Sequence, residues 1–288
     1  MCDSDKQSFI VDTSLTRRSV MAGLSAVAAA TALPRAAFAA TTVSETDVLI
    51  KTADGSADAA LFRPARRGTF PAVLLWPDIL GLRPVFREMG RRLAAEGYVV
   101  LVPNPFYRTK RAPIVTGPFD FGDKAAVGKL MEYKATLTDA RIDSDTHAYL
   151  AFLDSQKQVD RHKGAGVQGY CFSGPYTFRA AALMPGRVKA AASFHGGGLV
   201  TKGPGSPHLL IPKTKARFLV AIAQNDDQKQ PEAKDVLKAA FASAKRPAAV
   251  AVYPANHGWC VAGSEAYNEV AAERAWAELL KLYRATLT

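Results

Sequence analysis

Histidine and cysteine are both scarce in this sequence, and each scarcity narrows what the chain can do. The five histidines (His147, His162, His195, His208, His257) show no pair at metal-ligand spacing, so no metal is expected, and the chemistry read from the motifs below calls for no other cofactor. Three cysteines in 288 residues are too few for a disulfide scaffold. No apolar run approaches the roughly 20 residues needed to span a bilayer, which excludes a polytopic membrane protein. Repeats and low-complexity tracts are absent beyond the first forty residues. Acidic residues are also in deficit, 26 against 37 Lys and Arg, for a net charge of +11. The basic residues fall in short clusters, Arg63–Arg67 and Arg108–Arg111, with no reading helix and no aromatic platform, so no nucleic-acid partner is expected. What remains is 48% hydrophobic and 22% charged, the balance of a globular domain with one large core.

The first 39 residues read as an export signal. Arg17 and Arg18 precede a mildly apolar 14-residue run, Val20 to Leu33, and the small-residue triplet Ala37-Phe38-Ala39 follows. Paired arginines ahead of an alanine-rich run are similar to a twin-arginine signal, read by export machinery and removed from a periplasmic or secreted product. Stable membrane association is not expected. The leader takes Cys2 with it and leaves Cys171 and Cys260, in a remaining chain of 249 residues that still carries +10.

Residues 40–288 alternate short apolar runs with helical periodicity. Strands are expected at Thr46–Lys51, Ala59–Arg63, Ala72–Trp76, Tyr98–Val102, Gly166–Gly169, Val188–Phe194, Ala216–Ala223 and Ala248–Tyr253. Runs such as Ala72-Val73-Leu74-Leu75-Trp76 have the continuous apolar character of strands covered on both faces. Helices are expected at Val85–Glu96, Thr136–Ser155, Pro175–Leu183, Pro231–Ala244 and Ser264–Ala285. The pattern predicts one α/β domain with a mostly parallel sheet of about eight strands, flanked by helices on both faces. Two irregular stretches, Pro103–Lys129 and Gly196–Lys215, each follow a strand, where ligand crevices open in such sheets.

Gly169-Tyr170-Cys171-Phe172-Ser173-Gly174 lies between an apolar strand and a helix. It matches a G-x-nucleophile-x-G elbow with cysteine as nucleophile and Ser173 in place of the last glycine. Such a turn lifts the nucleophile clear of the sheet and offers the next amide, Phe172 N–H, to a developing oxyanion. A later strand ends in Gln224-Asn225-Asp226-Asp227, and the last strand is followed by Asn256-His257-Gly258-Trp259. Nucleophile, acid and histidine therefore appear in one order, each just past a strand end, and Cys171, Asp226 and His257 are the candidate triad. Asp226 lies nearer the strand end; Asp227 is the alternative acid, or a cap for the following helix.

With these segments in view, the chain resembles the dienelactone hydrolase family of α/β-hydrolases. The likeness runs through Leu75-Trp76-Pro77-Asp78-Ile79-Leu80-Gly81-Leu82, Glu96 to Pro103, Gly169-Tyr170-Cys171, Ser193 to Gly197, Asn225-Asp226 and Tyr253 to Gly258. It implies an α/β-hydrolase fold and a Cys171–Asp226–His257 triad that hydrolyses a small-molecule lactone or ester through a thioester, with Phe172 and Ile79 N–H as the oxyanion hole. It also implies that Asp78, as a gating carboxylate, faces the resting thiol, although Asp is one methylene shorter than the family's Glu. One departure concerns substrate. The family's arginine soon after the histidine is missing, since Trp259, Cys260 and Val261 stand there and Arg274 comes too late. Arg108 or Arg111 is the substitute the sequence offers, with Tyr107, Tyr170, Trp259 and His195 as further candidate substrate contacts. A disulfide between Cys171 and Cys260 would silence such an enzyme. The alternatives are a general esterase or thioesterase, or a binding protein that kept the fold without turnover.

Overall fold

A computed structural model of the chain describes residues 43–288; the export-signal expectation lies outside them. Strands β1 (Val43–Thr52) and β2 (Gly55–Pro64) form an antiparallel hairpin over a two-residue turn, and β2 pairs antiparallel with β4 (Val99–Pro103). From β4 onward every pairing is parallel, through β3 (Ala72–Trp76), β5 (Ala165–Tyr170), β6 (Val188–Phe194), β7 (Arg217–Ala223) and β8 (Ala248–Tyr253). The eight strands are ordered β1-β2-β4-β3-β5-β6-β7-β8. This is the mostly parallel α/β sheet the sequence predicts.

The sheet separates two cores, and strand alternation decides which residues enter each. Leu74 and Trp76 of β3 point into one cluster, Val73 and Leu75 into the other. Because both faces are covered, polar residues have no place on β3 or β4, which are buried at every position. Helices α1 (Pro84–Ala95) and α7 (Glu269–Thr286) cover one face. On the other lie α2 (Lys124–Ala135), α3 (Asp139–Asp154), α4 (Gly174–Leu183) and α6 (Ala233–Ser243). A short α5 (Gln224–Lys229) follows β7 directly.

Helices α2 and α5 depart from the sequence reading. The stretch Pro103–Lys129, expected to be irregular, ends in α2, whose start is fixed by Asp123 accepting from the Ala125 and Ala126 N–H groups. Its only buried residue is Leu130, so it lacks the apolar stripe that marks a helix in sequence. Helices α3 and α7 begin later than expected, at their caps Thr138 and Asn268. The stretch Gly196–Lys215 contains a 3-10 turn, Pro207–Lys213.

Tyr107 and Arg108 are corrected here, because neither lines the cleft described below. Arg108 donates two hydrogen bonds to Asp145 of α3, at 2.7 and 2.8 Å, and one to Asp54 in the β1–β2 turn at 2.6 Å. The Tyr107 hydroxyl donates to the same Asp145 at 2.9 Å. Burial, with the Asp145 carboxylate, pushes the Tyr107 phenol up to about 12. These side chains pin the loop after β4 to α3 and to the edge hairpin. Arg111 stands at the surface beside Asp58.

Asp145 is 1% exposed, and its removal takes two of the three carboxylate bonds from the buried Arg108 guanidinium and the acceptor from Tyr107. Asp145→Ala is therefore expected to cost about 3–5 kcal/mol in urea denaturation, with much of that recovered in the double variant Asp145→Leu/Arg108→Met. A single-variant cost below about 1 kcal/mol would contradict a dry, interdependent network.

Candidate active site

Five parallel-strand ends converge on one edge of the sheet, and each carries a residue the sequence singled out: Asp78 after β3, Cys171 after β5, His195 after β6, Asp226 after β7 and His257 after β8. At the centre, Cys171 takes φ +58°, the left-handed region that a residue with a Cβ seldom adopts. Its surroundings leave no alternative. A Cβ on Gly169 would collide with the Ser173 carbonyl oxygen, and one on Gly174 would lie 2.6 Å from the Gly196 Cα. Ser173 is more than a small residue. Its hydroxyl accepts from the Tyr170 N–H at 2.9 Å and is in reach of two carbonyls as donor, Tyr170 at 2.9 Å and Trp76 at 3.1 Å. The Trp76 contact ties the cysteine turn to the segment that carries Asp78 and Ile79. The sequence did not give Ser173 this part; a buried serine where the elbow pattern has glycine was the available signal.

His257 Nδ1–H donates to Asp226 Oδ2 at 2.6 Å, which leaves Nε2 for the Cys171 sulfur. Asp227 turns away to Lys234, 2.9 Å from its Nζ, so the geometry selects Asp226 as the partner of His257. Asn225, which sequence reasoning passed over, accepts from the His257 backbone N–H at 2.8 Å, and Gln224 bonds Asn256. The short α5 thus holds the whole histidine loop. Burial alone would favour the neutral imidazole. The hydrogen bonds and charge of Asp226 and Cys171 outweigh it and hold the His257 pKa up at about 10.

His195 lies edge-on to His257, with ring centroids 4.7 Å apart, at φ +39° and 1% exposure. Burial, reinforced by the neighbouring His257 charge, pushes its pKa well below the ordinary histidine value, so it is neutral. Neither ring nitrogen has a partner among the described residues.

The Cys171–His257 pair sits between two cavities. One, of about 580 Å³, is walled by Asp78, Ile79, Arg83, His195, Val115 and Phe119 among others. The second, about 500 Å³ and more open, is bordered by Lys134, Asp139, Phe172, Tyr176, Gly197 and Gly198. The Ile79 N–H has no acceptor among the described residues, and Phe172, at the start of its helical turn, holds an orphan donor.

Three expectations change. Asp78 reaches the cavity wall, but its carboxylate is taken by Arg83, at 2.5 and 2.8 Å, and by the Leu80 N–H; neither oxygen bonds the thiol. Tyr170, the last residue of β5, points to the face covered by α1 and α7, where it stacks on Phe194 at 5.0 Å and bonds Gln168. Trp259 is wholly buried and stacks on Tyr253 at 4.7 Å, behind His195 rather than in the cleft. Cys260 is buried with Tyr170 and Phe194 around a separate cavity of about 180 Å³, and both cysteines are free thiols. No cluster of metal-ligating side chains and no helix able to cross a membrane occurs among the described residues.

Comparison with known proteins agrees with this architecture. The model of the dienelactone hydrolase family matches residues 57–287. A protein of Methylorubrum extorquens, provisionally named a carboxymethylenebutenolidase, is 29% identical across 98% of this chain and 97% of its own length. The carboxymethylenebutenolidase of a Pseudomonas species is 29% identical across 80% of this chain and 90% of its own. Among solved structures, a dienelactone hydrolase-like promiscuous phosphotriesterase from metagenomic libraries superposes with TM-score 0.70 at 20% identity, covering 85% of this chain and 99% of that one. The chain belongs to the dienelactone hydrolase family and is a hydrolase acting on ester bonds.

Proposed function

We propose that this protein hydrolyses a lactone or small ester through a thioester on Cys171, with His257 and Asp226 completing the triad. The observation that carries the reading is the 2.6 Å Asp226–His257 bond, joined to a cysteine lifted on a left-handed turn beside the same imidazole. With the proton of the Cys171–His257 pair held on His257 Nε2, the sulfur attacks the carbonyl carbon. Negative charge moves to the carbonyl oxygen, where the Phe172 and Ile79 N–H groups receive it; one such donor is worth roughly 3–4 kcal/mol of barrier. Collapse of the tetrahedral adduct breaks the carbon–oxygen bond, and the leaving oxygen takes the proton from His257. His257 then removes a proton from water, which cleaves the thioester and returns the sulfur beside a protonated His257. Asp226 keeps the imidazole in the tautomer these steps need. Export of the protein to the periplasm or beyond is part of the reading and rests on the pattern of residues 1–39. Replacing Arg17 and Arg18 by lysine is expected to leave the precursor in the cytoplasm; periplasmic product of unchanged yield would contradict twin-arginine export.

Cys171→Ser, His257→Ala and Asp226→Asn are each expected to lower kcat on unsaturated lactones and p-nitrophenyl esters, the last by about 10⁴-fold. Wild-type activity in either of the first two would remove the triad. The pH dependence follows from His257. Its folded pKa of about 10 exceeds an unfolded value near 6.5, so the stability it contributes is complete below about pH 6.5 and is lost as pH rises through 10. A Tm profile should fall over that window in wild type and flatten in Asp226→Asn. Equal slopes would show that His257 carries no raised pKa.

A further inference from the structure

The 580 Å³ cavity differs from the open groove in enclosure and in charge. Its walls come largely from Ile79, Leu80, Val115 and Pro118, and its rim is an aromatic pair, Phe119 and Phe121, with ring centroids 4.9 Å apart. Phe121 is 63% exposed, a large apolar side chain left in water at the mouth of the cavity. Among the described residues Arg83 is the sole lysine or arginine in its lining, and both of its terminal nitrogens are engaged by Asp78. Glu265 and the protonated His257, itself held by Asp226, are the further charged residues of the lining. An anionic substrate group entering here would find both cations already paired with carboxylates and would have to break the Arg83–Asp78 or the His257–Asp226 pair. Arg108, the anion anchor the sequence offered, is committed to Asp145 and Asp54.

We propose that this cavity holds the uncharged, apolar acyl part of the substrate, a medium-chain or aromatic group, and that substrates with a carboxylate on that part are disfavoured. This rests on the hydrolase reading above. The acyl part belongs in the less open cavity because it stays bound to Cys171 until water arrives. For an ester the leaving alcohol departs first and needs the more open side, bordered by Lys134 and Asp139, whereas a lactone's freed hydroxyl stays tethered to the acyl part. The volume lies within the range of roughly 300–1,000 Å³ that encloses small organic ligands.

The test compares kcat/KM for p-nitrophenyl acetate, butyrate, hexanoate and octanoate with that for the p-nitrophenyl monoester of adipic acid, the carboxylate-ended counterpart of the six-carbon chain. A rise of about fourfold per methylene is expected until the cavity is filled, with the adipate at least tenfold below hexanoate. Phe121→Ser should lower the octanoate-to-acetate ratio. A flat chain-length series, or adipate as fast as hexanoate, would overturn the proposal. Should no ester and no unsaturated lactone be turned over at all, the hydrolase reading fails, and the cavity is read separately by calorimetry on the full chain. There, N-phenylhexanamide binding more tightly than its ω-carboxylate analogue supports the apolar assignment, and equal or reversed affinity overturns it.

Discussion

The backbone of Cys171 is the constraint on which the rest of the site depends. A cysteine at φ +58° is unfavourable by about 1–3 kcal/mol in isolation, and it persists because everything around it is fixed. Gly169 and Gly174 leave room where no Cβ fits, and the Ser173 hydroxyl bonds across the turn and out to Trp76. That last bond joins the Cys171 turn to the strand end whose next residues carry Asp78 and Ile79. A single turn therefore sets the cysteine, the Phe172 N–H beside it and the wall of the cavity together.

Electrostatics around this turn are organised by differences in burial and pairing. Two imidazoles lie 4.7 Å apart, yet they occupy opposite protonation states. His257 has a carboxylate on one nitrogen and the cysteine sulfur near the other, so it holds a proton. His195 has neither and is neutral, which spares His257 a second positive charge at contact distance. Arg83 and Asp78 cancel one another at the cavity wall, so the enclosed space stays close to neutral despite the basic character of the whole chain.

The sheet was legible because its central strands are buried on both faces and so read as unbroken apolar runs; β3 and β4 are the plainest cases. Helices α2 and α5 were not, since the first buries only Leu130 and the second buries nothing. At the site, the order of Cys171, Asp226 and His257 was visible because each follows a strand. Side-chain direction was not. Tyr170 is adjacent to Cys171 and faces away from it, and Tyr107 and Arg108 turn towards Asp145, a partner 38 and 37 positions distant. Long-range pairing of this kind leaves no local pattern. The same holds for Arg83 on Asp78, which replaces the expected contact between that carboxylate and the thiol.

The central claim is that acyl transfer passes through the Cys171 sulfur. The most direct measurement is mass spectrometry of the protein acid-quenched during steady-state turnover of a p-nitrophenyl ester, followed by peptide mapping. The account predicts one added acyl group, on the peptide containing Cys171, that disappears as substrate is exhausted. Turnover at full rate with no adduct, or with the acyl group on another residue, would contradict it.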